Sequence, residues 1–137
     1  MPKDLRNLVQ VLRSELVFLD AGGYSAWAGA RWRLPLIFEE SPACPNFNDC
    51  THTVKCQDCS LARLVPLRHR FREVPCRHIA LDAAGDTLDS LYRSATEEEL
   101  QRVYRGWLVS TLDLLEKKQV RRQWLRDQSV YRAAEST

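Results

Sequence analysis

The sequence has no long hydrophobic run. No stretch of about 18 consecutive apolar residues, the minimum for a membrane-spanning helix, occurs in it, so we expect no membrane span. Its first residues include Lys3, Asp4 and Arg6 and lack the apolar core of a secretory signal peptide. Both observations favour a cytoplasmic protein.

The sequence also lacks the short motifs by which several enzyme classes are recognised. It contains no phosphate-binding loop, no Gly-x-Ser-x-Gly, no His-Glu-x-x-His and no dinucleotide fingerprint. A zinc hydrolase or deaminase would need a general-base carboxylate in the pattern His-x-Glu, and none of the three histidines is followed by it. We therefore predict that the protein is not an enzyme.

Cysteine and histidine are absent from most of the chain and concentrated in one stretch. All five cysteines and all three histidines lie within residues 44–78. Cys56 and Cys59 form a Cys-x-x-Cys knuckle, whose two sulfurs can face one metal ion at about 2.3 Å. A tetrahedral site needs two more ligands from elsewhere. We predict a structural zinc site whose ligands are Cys44, Cys56, Cys59 and Cys76, with His78 as the alternative to Cys44.

Other chemistries for this stretch stay open at the level of sequence. An iron–sulfur cluster also uses four thiolates, although zinc is our first choice. A redox pair is a third reading, but Pro66 interrupts the helix that a thioredoxin-like motif requires. Cys50 and His52 are further candidates, which leaves a two-metal arrangement as another alternative. The spacing of the four chosen cysteines resembles that of zinc-ribbon sites in general.

Two stretches have the apolar periodicity of helices. Residues 5–20 repeat apolar side chains every three or four positions, and Asp4 can cap their start. Residues 96–130 begin with a capping box of Thr96 and Glu99 and continue with a similar stripe. A helix of that length spans about 50 Å. Because so small a domain is narrower than this, we expect the last third to fold back or to project.

The residues between these helices predict the fold class. We expect residues 32–81 to be a metal-binding middle with a few short strands, at 32–38, 64–67 and 79–81. The predicted fold is therefore α+β: a small zinc-stabilised domain in which two main helices flank an irregular metal-binding middle. Residues 1–132 would form this single domain, and residues 133–137 a frayed tail.

The charges are unevenly distributed although the net charge is only +2. Residues 115–137 carry six Lys or Arg against three acids, and residues 61–80 carry five Arg against Glu73 alone. A basic amphipathic helix is typical of a partner-binding element. The side chains predicted to bind a partner are Lys117, Lys118, Arg121, Arg122, Trp124 and Arg126.

These features together predict a small cytoplasmic protein with a structural zinc site that acts as a protein-interaction or adaptor subunit. Its partner would be another protein, which includes a second copy of the same chain. The alternative is a nucleic-acid-binding zinc module that uses the arginines within residues 63–77. Only Phe71 lies among those arginines as an aromatic that could stack on a base.

Overall fold

The computed structural model describes Asp4 and residues 6–24, 34–47 and 54–135, with side chains described as far as residue 129. Its long elements are three α-helices. They are α1 (Leu8–Asp20), α2 (Leu88–Ser94) and α3 (Glu97–Glu135). Among the described residues between α1 and α2 are four short 3₁₀ segments, at Cys56–Asp58, Ser60–Leu64, Leu67–His69 and Pro75–His78. About half of the buried core residues described belong to α1 and the first half of α3, which pack against each other, and the rest come from Tyr24 and residues 37–91.

The predicted α+β class is wrong, because the described residues contain helices and turns and no β-strand. Residues 64–67 belong to 3₁₀ segments and the link between them, and residues 79–81 are irregular. Residues 34–36 are irregular and 37–40 form a turn, while residues 32 and 33 lie outside the described part. The zinc-stabilised domain with short strands is therefore replaced by a helical fold.

The hydrogen bonds of the segment at 37–38 explain why a strand does not form there. The backbone N–H of Ile37 donates to the Tyr92 hydroxyl at 2.8 Å, and that of Phe38 donates to the Tyr24 hydroxyl at 2.9 Å. In a sheet, such donors pair with a neighbouring strand. Here distant tyrosines accept these bonds, and the chain turns: the N–H of Glu40 donates to the carbonyl of Leu36 at 3.0 Å, and Phe38 adopts a left-handed φ of 66°.

The start of α1 also differs from the prediction, because Asn7 caps it instead of Asp4. The side-chain oxygen of Asn7 accepts the N–H groups of Val9 and Gln10 at 2.9 and 3.4 Å. The helix ends before Gly22, whose φ of 80° suits a residue without a Cβ. The face of α1 that packs into the core consists of Leu8, Val9, Val11, Leu12, Glu15 and Leu19.

The long helix α3 begins after Thr96, whose hydroxyl accepts the N–H of Glu99 at 3.2 Å. Its 39 residues correspond to a length of about 58 Å. Ion pairs join Asp20 to Arg105 and Arg13 to Glu116, so α1 and α3 run antiparallel. The buried side chains of the first half are Leu100, Tyr104, Trp107, Leu108 and Leu112. Residues 117–127, which we call the exposed part of α3, are all exposed, although Lys118 and Arg122 still pass close to the start of α1.

A buried carboxylate ties the two helices to the turn at 37–41. Glu15 is only 1% exposed, and its two oxygens accept three hydroxyl groups. Tyr104 donates to Oε1 at 2.7 Å, Tyr24 donates to the same oxygen, and Ser41 donates to Oε2 at 2.7 Å. Burial raises the pKa of Glu15, while the hydroxyl donors lower it in part.

Candidate metal centre and the basic part of α3

The four cysteines predicted as zinc ligands line one small cavity. Cys44, Cys56, Cys59 and Cys76 surround it together with mainly apolar neighbours, among them Phe38. Its volume of about 40 Å³ exceeds the roughly 10–15 Å³ that one water molecule occupies. The fold thus brings together cysteines that are up to 32 residues apart in the sequence. Two other candidates, Cys50 and His52, lie outside the described residues.

The knuckle itself is built from two successive 3₁₀ segments. The N–H of Cys59 donates to the carbonyl of Cys56 at 3.2 Å, which closes the first turn. The sulfur of Cys59 then caps the Ser60–Leu64 segment by accepting the N–H of Leu61 at 3.4 Å. Such an N–H···S bond stabilises negative charge on the sulfur, which is the state in which cysteine binds a metal ion.

Burial works against that charge in the absence of a cation. It raises the pKa of Cys59 to about 11, and it also raises the pKa values of Cys56 and Cys76, with Cys76 the most strongly affected. The neighbouring thiols, Cys44 among them, add to the rise by like-charge repulsion. A bound cation would reverse both effects, because ligating thiols are deprotonated outright.

The arrangement of donors around the cavity is not that of a preformed site. In the part of the chain that is described, no group of three or more His, Cys, Asp or Glu side chains could hold a metal ion in its present geometry. The donor set has the chemistry of a Cys₄ zinc site, but its sulfurs do not converge on one point. His78, the alternative ligand, stacks on His69 with ring centroids 5.0 Å apart.

An ion pair just before α1 holds the start of the chain to the segments that carry two of the four cysteines. Arg6 pairs with Asp4 at 2.8 Å and also donates to the carbonyls of Pro42 and Ala43 at 2.9 and 2.6 Å. The side chain of Asp4 is only 2% exposed and accepts the N–H of Ser60 at 3.0 Å. The bonds to Arg6 hold the pKa of Asp4 well below its usual range. The residues next to Cys44 and Cys59 are thereby fixed to one another.

A second ion pair lies next to Cys76 in the chain: Arg77 donates two hydrogen bonds to the Glu39 carboxylate, at 2.9 and 3.0 Å. Arg77 also lies over the ring of Tyr92, 5.8 Å from its centroid. Because Arg77 follows Cys76 directly, this pair positions the last of the four cysteines against the turn at 37–40. No short motif in the sequence indicated that Glu39 and Arg77 would meet, since 38 residues separate them.

The side chains predicted to bind a partner lie on more than one face of α3. Lys117, Arg121 and Trp124 border one shallow surface together with Val120, while Arg126 lies beside Arg122 on another. Val120 is 71% exposed and Trp124 59% exposed. Lys117 pairs with Asp113 at 2.9 Å. The remaining member, Lys118, lies with Arg122 near the start of α1.

The arginines of residues 63–77 are divided among different surroundings. Arg77 is held by Glu39, Arg70 reaches the carbonyl of Val65 at 3.5 Å, and Arg63 lies near α3. Arg63, Arg68 and Arg72 are exposed, and the last two lie on either side of Phe71 in the sequence, which is itself 79% exposed.

Comparisons with protein-family models, with characterised proteins and with solved structures give no match to this chain. Within the described residues, no helix combines the length and the apolar character that crossing a membrane requires.

Proposed function

We propose that this protein is a non-enzymatic adaptor that uses the exposed part of α3 to bind a partner protein and holds a structural zinc ion between Cys44, Cys56, Cys59 and Cys76. The observation that carries the proposal is the exposed apolar surface of α3. Val120, Trp124 and Leu125 are 71%, 59% and 51% exposed, and basic residues such as Arg121, Arg122 and Arg126 lie among them in the sequence. Large apolar side chains on a projecting helix are typical of partner-binding elements.

The zinc part of the proposal is supported by the four thiols that line one cavity and by the N–H···S bond to Cys59. Zinc would draw the sulfurs to about 2.3 Å and compensate for the burial that raises the thiol pKa values. A site closed by four protein ligands leaves no position for a substrate, which accords with a non-enzymatic role. A reducing compartment such as the cytoplasm would keep the thiols available.

The zinc proposal is tested by elemental analysis and by melting curves. We expect about one zinc per chain, and we expect Cys56→Ser or a strong chelator to destabilise the fold by more than about 3 kcal/mol. Cys50→Ser is the matched control, for which we expect retained metal and an unchanged melting temperature. An unchanged melting curve for Cys56→Ser would refute a structural ion, whereas bound iron with a brown absorption band would replace zinc by an iron–sulfur cluster.

The partner-binding part is tested by quantitative affinity capture, followed by direct titration of the captured protein. We expect Val120→Ser with Trp124→Ser to abolish the interaction without changing the melting temperature, because both side chains are exposed. Val17→Ser is the matched control, since Val17 is 70% exposed on α1. Equal loss of the interaction in the control, or none in the double variant, would remove α3 from the proposal.

Nucleic-acid binding is the second candidate, and one observation favours it. Phe71 is 79% exposed between two exposed arginines, Arg68 and Arg72, so a base could stack on it. Its weakness is that Arg70 and Arg77 are engaged within the fold. Fluorescence anisotropy with a single-stranded oligonucleotide tests it: tight, salt-dependent binding that Phe71→Ala weakens would favour this function over the adaptor.

A further inference from the structure

A groove opens where the start of α1, the Ser60–Leu64 segment and the exposed part of α3 meet. Its volume is about 620 Å³. Leu64 and Leu115, both half-buried, lie along it, and so do the exposed cations Arg63, Lys118 and Arg122. We call this surface the α1–α3 groove. Because its walls come from three segments distant in the sequence, periodicity alone could not have predicted it.

The charge of the groove is uncompensated. Arg63, Lys118 and Arg122 form no ion pair within the described part of the chain, and no carboxylate of that part lines the groove. The first turn of α1 also lacks an acidic residue, so the positive end of its dipole adds to the same field. Two acids close to these residues in the chain already have partners: Asp4 pairs with Arg6, which also lines the groove, and Glu116 pairs with Arg13. The partner that fits this surface therefore carries negative charge.

The apolar part of the groove narrows the choice of partner. Leu64 and Leu115 supply apolar surface to the groove, and Leu8 is buried beside them. Among the described residues that line the groove there is no aromatic ring on which a nucleic-acid base could stack. Leucines between cations instead suit a segment that presents apolar side chains on one face and carboxylates beside them.

We propose that the α1–α3 groove binds an acidic amphipathic helix of a partner protein. Apolar side chains of that helix would cover Leu64 and Leu115, and its carboxylates would pair with Arg63, Lys118 and Arg122. The proposal rests on the adaptor function above and adds the chemistry of the partner. It also gives Lys118 and Arg122 a role separate from that of Val120 and Trp124.

The test uses the full chain and a fluorescent synthetic peptide of about 18 residues, long enough for roughly five helical turns. The peptide carries leucines at helical spacing and glutamates elsewhere, and a scrambled peptide of the same composition is the control. We expect anisotropy titrations to show binding of the patterned peptide at least about tenfold tighter than binding of the scrambled one. We also expect affinity to fall as salt is raised, because the cations are exposed.

The matched variants are Lys118→Glu with Arg122→Glu, and Arg68→Glu with Arg72→Glu. Both change the net charge equally at exposed positions, but only the first pair lies in the groove. We expect the first pair to weaken binding by at least about tenfold and the second by less than about twofold. Melting curves of both variants establish that each is folded.

Several outcomes would overturn the proposal. Equal binding of the scrambled peptide, or equal loss in both variants, would show attraction by net charge alone. Tighter binding of an oligonucleotide of equal charge would assign the groove to nucleic acid. A dimer seen by light scattering that Lys118→Glu with Arg122→Glu dissociates would assign it to a second copy. If the peptide does not bind while Val120→Ser with Trp124→Ser still abolishes partner capture, the groove fails and the adaptor function stands.

Discussion

The two halves of α3 have similar apolar periodicity in the sequence and opposite environments in the structure. Leu108, in the first half, is fully buried in the core, whereas Leu125 in the second half is 51% exposed. The difference comes from what lies opposite each half: α1 packs along the first half, and this packing stops at the start of α1, beside Lys118 and Arg122. Apolar spacing therefore predicts that a helix forms, but it does not predict whether the helix has a neighbour.

The largest difference in stability between the two halves is expected when one leucine in each is replaced by alanine. Leu108→Ala should lower the free energy of unfolding by about 3 kcal/mol, because it removes buried apolar surface and leaves a cavity. Leu125→Ala should change the free energy of unfolding by less than about 0.5 kcal/mol, since half of that side chain is already exposed to solvent. Urea titrations of the two variants measure the difference. Similar losses in both would mean that the second half of α3 is packed in solution.

A smaller effect is expected from the carboxylate buried in the body. Because burial raises the pKa of Glu15 in the folded state, the native protein binds more protons than the unfolded chain above the usual glutamate value of 4.5. Stability should consequently fall as pH rises through and above this value, by about 1.4 kcal/mol per unit of pKa shift. Glu15→Gln should flatten this decline in melting curves between about pH 5 and pH 8.

Parallel pH profiles for Glu15→Gln and the unchanged protein would contradict the assignment to Glu15. Tyr104→Phe sharpens the test. It removes one of the donors that favour the carboxylate, so the decline should begin at the same pH and extend further. If Tyr104→Phe left the pH profile unchanged, the hydroxyl group of Tyr104 would have no effect on the pKa of Glu15.

The smallest difference in stability is expected between a partly buried ion pair and an exposed one. Asp4→Asn should cost about 1–2 kcal/mol at neutral pH, because the Asp4 side chain is 2% exposed and bonds to both Arg6 and Ser60. Asp113→Asn should cost less than about 0.5 kcal/mol, since Asp113 and Lys117 are 61% and 73% exposed.

The pH dependence of the Asp4 contribution has the opposite sign to that of Glu15. The folded-state pKa of Asp4 is depressed, so its stabilisation is present above the usual aspartate value of 3.8 and is lost as pH falls below it. Acid unfolding of Asp4→Asn should therefore be less steep in this range. An equally steep acid transition would show that Asp4 is not the group that titrates.

The sequence predicted α1 and α3 from local signals and missed features that depend on distant partners. The spacing of Leu8, Leu12 and Leu19 is a property of nearby residues, and so is the hydroxyl of Thr96 at the start of α3. The strand at 32–38 was predicted from the same kind of local evidence and is wrong for residues 34–38, the part of it that the structure describes. Its N–H groups bond to Tyr24 and Tyr92, whose positions depend on the whole fold.

The same distinction holds for the candidate site. The Cys56 and Cys59 knuckle is local, and its spacing alone made it a candidate for metal binding. That Cys44 and Cys76 line the same cavity is consistent with the chosen set, while metal binding itself stays a prediction. The pair of Asp4 and Arg6 that holds this region to α1 was missed, because nothing in the spacing of charges shows that Pro42 and Ser60 lie beside them.

The Ser60–Leu64 segment belongs to both candidate surfaces. The sulfur of Cys59 caps its first turn, and its last two residues, Arg63 and Leu64, line the α1–α3 groove. An ion that fixes Cys59 therefore also restricts the residues that meet a partner. Thermodynamic reciprocity then applies: if zinc tightens the binding of an acidic helix by some factor, that helix tightens the binding of zinc by the same factor. Metal binding and partner binding would thus be linked equilibria, each of which shifts the other.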